Sequence, residues 1–316
     1  MTASIMTAST PAIQTRGLSK TFGRTEALAP LDLVVPRGAV FALVGHNGAG
    51  KTTLIKLLLN ILRPTHGGAT ILGESTAALT GESFTHIGYV SENQEMPEWM
   101  TVQGMMDYLR PFYPTWDAAN LLADLDLPPD RKLKQLSRGM RMKAALASVL
   151  AFRPPLIVMD EPFSGLDPLV RDELIKALLD RMNDEYETDA GATILISSHD
   201  LAEVESFATH VAFLHRGKLL FAEPMSTLTA RFREVTVTLD PTVKTAPFTP
   251  PTTWLLPESS PSLYRFIHTD AEAGDLEPQV RSLLPHATTI EAEPMTLRTI
   301  FLALAKSSQA QDRSRA

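Results

Sequence analysis

The sequence contains no cysteine among its 316 residues. Disulfide bonds and thiolate metal sites are therefore excluded, and a reducing compartment fits this composition. The chain also lacks an excess of positive charge, because its formal net charge is -7 at pH 7. Proteins that bind phosphate backbones without sequence preference are usually basic, so the charge disfavours nonspecific DNA binding.

Long hydrophobic runs are missing as well. A membrane-spanning helix needs roughly 18 consecutive apolar residues, whereas runs such as Ala39–Val44 and Leu156–Met159 are only long enough for strands. The first ten residues have neither the basic start nor the apolar stretch of a secretory signal, and we expect a disordered leader over residues 1–11. Any role at a membrane must therefore come through a partner.

What is present is ordinary globular composition, with 44% hydrophobic and 21% charged residues. Between residues 12 and 232, short apolar runs alternate with longer helical stretches, which predicts an α/β domain. The predicted elements are buried strands at Ala39–Val44, Leu156–Met159 and Thr193–Ile196, a helix at Lys51–Leu62, and a hairpin of Val211–Leu214 and Leu219–Phe221 around Arg216 and Gly217.

Two segments differ from this pattern. Residues 96–153 are rich in Met, Leu and Ala, with prolines between short helices, which indicates an inserted helical subdomain. Residues 233–306 begin with an alternating strand and end with a helix, so they predict a small α+β domain followed by a flexible tail at 307–316. The final helix has Thr296 as its predicted N-cap and an apolar stripe of Leu297, Ile300, Phe301 and Leu304.

A phosphate-binding loop follows the first buried strand. The run Gly45–Thr52 fits the pattern G-x-x-x-x-G-K-[ST] and lies between a strand and a helix. The glycines allow backbone N–H groups to turn toward a phosphate, and the helix dipole adds to their attraction. In this motif Lys51 reaches the β- and γ-phosphates and Thr52 ligates Mg²⁺.

An acidic pair ends the second buried strand. Asp160 and Glu161 follow Leu156–Met159, at the strand end where open α/β sheets bind ligands. Alone, such a pair is more typical of a solvated turn. Beside a phosphate-binding loop, Asp160 is placed to hold Mg²⁺ and Glu161 to polarise an attacking water as a general base.

Further short motifs complete a pattern. They are Leu136-Ser-Arg-Gly-Met140, Ser164-Gly-Leu-Asp167, His199 after Ile196-Ser-Ser, and Phe22 within Lys20-Thr-Phe-Gly23. Taken singly, a histidine or a phenylalanine is more often a packing residue. In this order and spacing, the motifs over residues 15–230 resemble the ABC ATPase family. The tail and the Leu-Ser-Arg-Gly-Met motif are similar to the ATPases of ABC-2-type bacterial exporters.

The resemblance implies a P-loop NTPase core with an inserted helical subdomain, an antiparallel β subdomain and a small C-terminal α+β appendage. It implies ATP and Mg²⁺ as cofactors. The residues that it assigns to catalysis are Glu161, His199 and Lys51. Those that it assigns to nucleotide binding are Phe22, Gly45, His46, Asn47, Gly48, Ala49, Gly50, Lys51, Thr52, Thr53, Ser137, Gly139 and Asp167, and those that it assigns to the metal are Thr52, Glu92 and Asp160.

The sequence departs from the family at two places. Arg138 and Met140 replace a glycine and the glutamine of the common Leu-Ser-Gly-Gly-Gln signature, and Glu92, nine residues before Thr101, stands where the family has glutamine; Gln94 is out of register. An ionised carboxylate only accepts hydrogen bonds and adds negative charge beside the phosphates. We expect a cation to compensate Glu92, and Arg138 of a facing subunit is the candidate.

The function implied is ATP hydrolysis that drives separate membrane permease subunits from the cytoplasmic face of the inner or plasma membrane. One ATPase unit is present, so the resemblance implies a second ATPase subunit, either an identical copy or a related chain, and no specific nucleic acid. The alternative is a soluble ABC ATPase acting on a ribosome, DNA or cofactor-assembly complex. Ribosome-type members usually carry two ATPase units, and DNA-repair types insert coiled coils or zinc cysteines, none of which this sequence contains.

Overall fold

A computed structural model of the chain describes residues 10–183, 191–242, 248–271 and 276–315. These residues pack as two compact units. The first comprises the described residues up to Asp200 together with Phe207–Ala222, and the second comprises Leu201–Ser206 and the described residues from Glu223 onward. Within the described part of the chain, no helix is both long and apolar enough to cross a bilayer.

The strands in chain order are β1 (Ile13–Phe22), β2 (Thr25–Leu31), β3 (Val34–Val35), β4 (Val40–Val44), β5 (His66–Ile71), β6 (Glu74–Ser75), β7 (Ile87–Ser91), β8 (Leu156–Asp160), β9 (Thr193–Ser198), β10 (His210–His215), β11 (Lys218–Pro224), β12 (Arg233–Leu239), β13 (Trp254–Ser259), β14 (Leu263–His268) and β15 (Ala287–Pro294). The α-helices are α1 (Lys51–Leu58), α2 (Val102–Leu109), α3 (Leu121–Asp124), α4 (Arg138–Leu150), α5 (Pro168–Asn183), α6 (Leu201–Glu205), α7 (Met225–Arg231), α8 (Leu276–Leu283) and α9 (Leu297–Arg315).

The central sheet of the first unit has the strand order β11-β10-β4-β9-β8-β7. Neighbouring strands from β10 through β7 run parallel. Every residue of β4, β8 and β9 is buried, as expected for the middle of a parallel sheet covered on both faces. The register places Ser91, Asp160 and Ser197 side by side at the carboxyl ends of β7, β8 and β9.

A second sheet of the first unit is antiparallel, with the order β2-β1-β5-β6 and with β3 paired to β1. One hydrophobic core contains residues of this sheet, of α1 and of the central sheet. The hairpin of β10 and β11 turns at Arg216 and Gly217, whose φ angles are both positive, at 47° and 77°. Two positive φ angles in succession suit the tight turns of β-hairpins, and this hairpin was predicted.

Helix α1 is shorter than predicted. The sequence predicted a helix from Lys51 to Leu62, but α1 ends at Leu58. The chain reverses at Asn60, whose φ is 54°, and the N–H of Leu62 bonds to the carbonyl of Lys56 at 3.0 Å. Asparagine adopts the left-handed conformation more readily than most residues, so it ends a helix although apolar residues continue beyond it.

Helices α2, α3 and α4 lie in the segment predicted as a helical subdomain. The hydroxyl of Thr101 caps α2 by accepting from the N–H of Gly104 at 3.0 Å. The hydroxyl of Ser137 caps α4 by accepting from the N–H of Met140 at 3.2 Å. From Met142 to Leu150 every residue of α4 is buried, so α4 is the central packing element of this segment.

The second unit contains an antiparallel sheet of order β13-β14-β12-β15, covered by an aromatic and aliphatic core. The rings of Trp254 and Phe266 stack with centroids 3.7 Å apart. The N–H of Thr299 bonds to the predicted cap Thr296 at 3.3 Å, and α9 then continues to Arg315. Helix α9 thus covers residues 307–315 of the segment predicted as a flexible tail, and no glycine or proline interrupts the chain after Leu297. The flexibility of this segment stays a prediction. The predicted domain boundary at residue 232 stays a prediction, since packing alone does not test independent folding.

Candidate functional site

The phosphate loop joins β4 to α1. A Cβ atom at Gly45 would lie 2.3 Å from the carbonyl oxygen of Leu214, and Gly50 has a φ of 107°. Side chains are thereby excluded at Gly45 by space and disfavoured at Gly50 by backbone conformation. A cavity of 320 Å³ lies over this loop, and its lining residues are Ala27, Asn47, Gly48, Ala49, Gly50, Lys51, Thr52, Thr53, Glu92 and Glu161. This set is called the cradle below.

The lysine of the cradle is only 5% exposed. Its Nζ donates to the carbonyl oxygen of Gly45 at 2.5 Å and lies 3.0 Å from Oε1 of Glu161. A buried ammonium needs such partners, because burial without an opposite charge is costly. Lys51 is thus held by its own loop and by the residue predicted as the general base.

Thr52 and Asp160, two of the residues predicted to bind a metal, are in direct contact. The hydroxyl of Thr52 donates to Oδ1 of Asp160 at 3.2 Å, and Asp160 is 7% exposed. Both side chains offer only oxygen ligands. Mg²⁺ is usually bound by one or two protein oxygens together with phosphates and waters. The two side chains therefore fit Mg²⁺, which would supply positive charge against the phosphates.

Glu161 and His199 are in direct contact. Nδ1 of His199 lies 2.7 Å from Oε2 of Glu161, and the Glu161 side chain is 14% exposed. An ionised carboxylate can only accept, so this geometry places a proton on Nδ1 of the ring. Glu161 therefore touches a lysine through one oxygen and a histidine through the other, at the edge of the cradle.

Ser197 is a site residue that was not predicted from the sequence. This residue is fully buried, donates from Oγ to Oδ1 of Asp160 at 2.6 Å, and accepts from the N–H of Glu161 at 2.9 Å. The sequence did offer one signal for it: Ser197 is a polar residue at the end of the otherwise apolar strand β9. This strand end lies beside the end of β8, which carries Asp160. The signal predicts a contact with Asp160 only once β8 and β9 are known to be adjacent strands.

Glu92 lines the cradle, and its N–H donates to the carbonyl oxygen of Asp160 at 3.0 Å. Its carboxylate lies 2.5 Å from Nη2 of Arg138 in the same chain. The expectation that Arg138 of a facing subunit compensates Glu92 is therefore corrected. Helix α4 begins close enough to Glu92 for Arg138 of the same chain to pair with it. A Cβ at Gly165 would lie 2.9 Å from Nη1 of Arg138, so the guanidinium also lies against that loop.

Other predicted residues lie outside the lining of the cradle among the described residues. Phe22 is 48% exposed on the β1–β2 hairpin, with Nζ of Lys20 over its ring at 5.1 Å from the centroid. Ser137 and Gly139 lie at the N-terminal end of α4. Asp167 caps α5 by accepting from the N–H of Val170 at 3.1 Å.

The electrostatics of the site affect a neighbouring phenol. Burial first, and the negative charge of Asp160 second, raise the pKa of Tyr89 above its ordinary value, against the opposing hydrogen bond of Ser91. Tyr89 therefore stays neutral through the physiological pH range. Of the other predicted phosphate-loop residues, His46 lies outside the cradle lining and is exposed, while Asn47 and Ala49 line the cradle, Asn47 exposed and Ala49 buried.

The family described as ABC transporter matches residues 28–164. An uncharacterized ABC transporter ATP-binding protein of Synechocystis sp. is 34% identical over 62% of this chain and 56% of its own length. The bacitracin transport ATP-binding protein BcrA of Enterococcus faecalis is 30% identical over 71% of this chain and 73% of its own. The daunorubicin/doxorubicin resistance ATP-binding protein DrrA of Streptomyces peucetius is 33% identical over 67% of this chain and 64% of its own.

Solved structures show the same fold. A structure described as the ATP binding subunit of an ABC transporter has a TM-score of 0.62 and 27% identity, and it covers 69% of this chain and 91% of its own. The dimeric cassette MJ0796 has a TM-score of 0.60 at 24% identity, over 67% of this chain and 98% of its own. The predicted P-loop NTPase fold is therefore confirmed.

Proposed function

The chain belongs to the ABC transporter family of ATP-binding proteins, and on this premise we propose that it binds and hydrolyses ATP to drive a separate membrane permease of the ABC-2 exporter type. The relatives named for bacitracin transport and for daunorubicin and doxorubicin resistance support the export direction. Within the described residues no helix could span a membrane, so the transport path is assigned to the partner.

The observation that carries the proposal is the contact chain Lys51–Glu161–His199. Oε1 of Glu161 lies 3.0 Å from the lysine of the cradle, and Oε2 lies 2.7 Å from the histidine. In the reaction Lys51 binds the β- and γ-phosphates, and Glu161 accepts a proton from the attacking water. His199 orients that carboxylate and contacts the terminal phosphate. Thr52 and Asp160 would hold Mg²⁺, which would neutralise charge on the phosphates, and Glu92 lies next to Asp160 in the lining of the cradle.

We assign the complete nucleotide site to two ATPase subunits. Ser137 and Gly139 lie at the N-terminus of α4, outside the cradle. Backbone N–H groups at a helix N-terminus attract anions. We assign these residues, with Asp167, to the nucleotide bound on a second copy or a related chain, and Phe22 to stacking on the adenine.

The permease is assigned to the groove beside the cradle, at the cytoplasmic face of the membrane. A cavity of 720 Å³ opens between the loop after β7 and α4, and residues such as Asn93, Met96, Leu136 and Met142 line it. Gln94 belongs to this lining and not to the cradle. A permease segment in this groove would contact Glu92 and so sense the nucleotide site.

Affinity capture from native membranes tests the proposal. The Glu161→Gln chain, tagged and loaded with Mg²⁺-ATP, is solubilised in detergent, and its partners are identified by mass spectrometry. We expect an integral membrane protein that, when reconstituted with the wild-type chain, raises its ATPase rate. Capture of a ribosomal, DNA-bound or cofactor-assembly complex, with no membrane protein, would establish the alternative function.

A further inference from the structure

One buried hydroxyl connects the two acidic residues of the site. Ser197 is 0% exposed at the carboxyl end of β9. Its Oγ donates to Oδ1 of Asp160 at 2.6 Å and accepts from the backbone N–H of Glu161 at 2.9 Å. A hydroxyl has one proton to donate and lone pairs to accept, so both hydrogen bonds are made at once.

Glu161 needs such a partner because of its backbone conformation. Its φ is 52°, in the left-handed region that a glutamate rarely adopts. Such strain persists only where surrounding contacts impose it. The hydrogen bond from the N–H of Glu161 to Ser197 is a contact of this kind, and the φ that it supports directs the carboxylate toward Lys51 and His199.

Asp160 is fixed by the same hydroxyl. Its Oδ1 accepts from Ser197 at 2.6 Å and from Thr52 at 3.2 Å. Two donors on one carboxylate oxygen restrict rotation of the carboxyl group. Because hydrogen-bonded outer partners orient metal ligands and tune their affinity, loss of the Ser197 donor should disturb the ligand assigned to Mg²⁺.

We propose that Ser197 is a positioning residue for ATP hydrolysis, which sets the metal-holding Asp160 and the general base Glu161 through a single hydroxyl. This inference rests on the proposed ATPase function. The position of Glu161 then depends on the position of Asp160, because both residues are hydrogen-bonded to the Oγ atom of Ser197.

The same strand supplies a matched control. Thr193 begins β9 and is 1% exposed, and its hydroxyl accepts from the N–H of Gly38 at 3.0 Å. It lies at the opposite end of the strand from the cradle. Thr193→Val and Ser197→Ala each remove one buried hydroxyl from β9, so a purely structural role would give them similar consequences.

The test compares these variants in the full chain. ATP turnover gives kcat and KM, thermal unfolding gives stability, and calorimetry with a non-hydrolysable ATP analogue over a Mg²⁺ series gives the metal dependence of binding. For Ser197→Ala we expect kcat to fall roughly 10- to 100-fold, as for small misplacements of reacting groups. KM should change little, and more Mg²⁺ should be needed for analogue binding. Thr193→Val should lower the melting temperature and keep kcat.

Two further variants control for misfolding of Ser197→Ala and for the presence of the hydroxyl. Ser197→Cys fills the same space with a weakly hydrogen-bonding thiol, and it carries the test if the alanine variant does not fold; its kcat should also fall. Ser197→Thr keeps the hydroxyl, and it should restore kcat toward wild type. Wild-type kcat and Mg²⁺ dependence in a folded Ser197→Ala or Ser197→Cys chain would overturn the inference while leaving the ATPase function intact. A wild-type chain that neither binds nor hydrolyses Mg²⁺-ATP would overturn both.

Discussion

Arg138 Nη2 lies 2.5 Å from Glu92 Oε1 within one chain. This ion pair joins the loop after β7 to the first residue of α4, and it connects the two positions at which the sequence departs from the family pattern. The negative charge of Glu92, which would add to that of Asp160 and Glu161, is compensated by Arg138 of the same subunit. Because the Arg138 side chain is 54% exposed, the pair is screened by solvent and can open without a large cost.

Glu92→Gln should raise the basal ATPase rate of the isolated subunit. The neutral amide removes a negative charge from the cradle and releases Arg138. Exposed pairs contribute at most about 1 kcal/mol, so the increase should be up to about fivefold. The measurement is ATP turnover at several Mg²⁺ concentrations. Glu98→Gln is the control, since Glu98 pairs with Arg141 of the same helix at 3.2 Å. An unchanged ATPase rate and an unchanged Mg²⁺ dependence in Glu92→Gln would contradict a role for the Glu92 carboxylate at the nucleotide site.

Lys51→Ala should abolish productive ATP binding, because it removes the cation that the cradle directs at the β- and γ-phosphates. Calorimetric titration with Mg²⁺-ATP measures the effect. Lys56→Ala is the matched control, since Lys56 lies in the last turn of the same helix and outside the cradle. Wild-type affinity in the Lys51 variant would contradict the assignment of the phosphate loop to ATP binding.

ATP should convert the Glu161→Gln chain from monomer to dimer, because hydrolysis no longer releases the nucleotide that Ser137 and Gly139 of the second subunit are proposed to contact. Sedimentation with and without ATP measures the change. In the same background Ser137→Asp keeps a good helix cap but places a negative charge against the phosphate, so it should prevent dimerisation. Ser137→Thr, which keeps both the cap and the neutral hydroxyl, should permit it. A Glu161→Gln chain that stays monomeric at saturating ATP would contradict the proposed assembly.

Asp117 gives a prediction about pH and stability. The hydrogen bond from Arg153 first, then the charges of Arg153 and Arg181, hold the pKa of Asp117 below its ordinary value despite partial burial. A lowered folded-state pKa gives stability that is present above the unfolded pKa and is lost as pH falls through the folded pKa. Asp117→Asn should therefore be less stable at pH 7, by no more than about 1 kcal/mol because the side chain is 43% exposed. Urea unfolding should show this difference shrinking toward acid pH, and an equal difference at every pH would contradict the mechanism.

The strands and motifs could be read from the sequence because each depends on short-range pattern. Buried parallel strands are continuous apolar runs. The phosphate loop is recognised by glycines at fixed spacing before Lys51. The order of these motifs along the chain then identified the fold.

Side-chain contacts between distant segments could not be read in this way. The 2.6 Å bond from Ser197 to Asp160 depends on β8 and β9 being neighbours in register, and the pairing of Arg138 with Glu92 depends on where α4 begins. The end of α1 was missed for a different reason, since the left-handed turn at Asn60 overrides an apolar pattern that continues to Leu62.

The central prediction is that Glu161 is the general base. The most direct measurement is ATP turnover by Glu161→Gln at saturating Mg²⁺-ATP, alongside calorimetric binding of ATP and a Glu74→Gln control on the exposed strand β6. We expect Glu161→Gln to bind ATP with nearly wild-type affinity and to hydrolyse it at least about 100-fold more slowly, while the control matches wild type. Turnover by Glu161→Gln at the wild-type rate would contradict the assignment of the base and, with it, the mechanism proposed for this site.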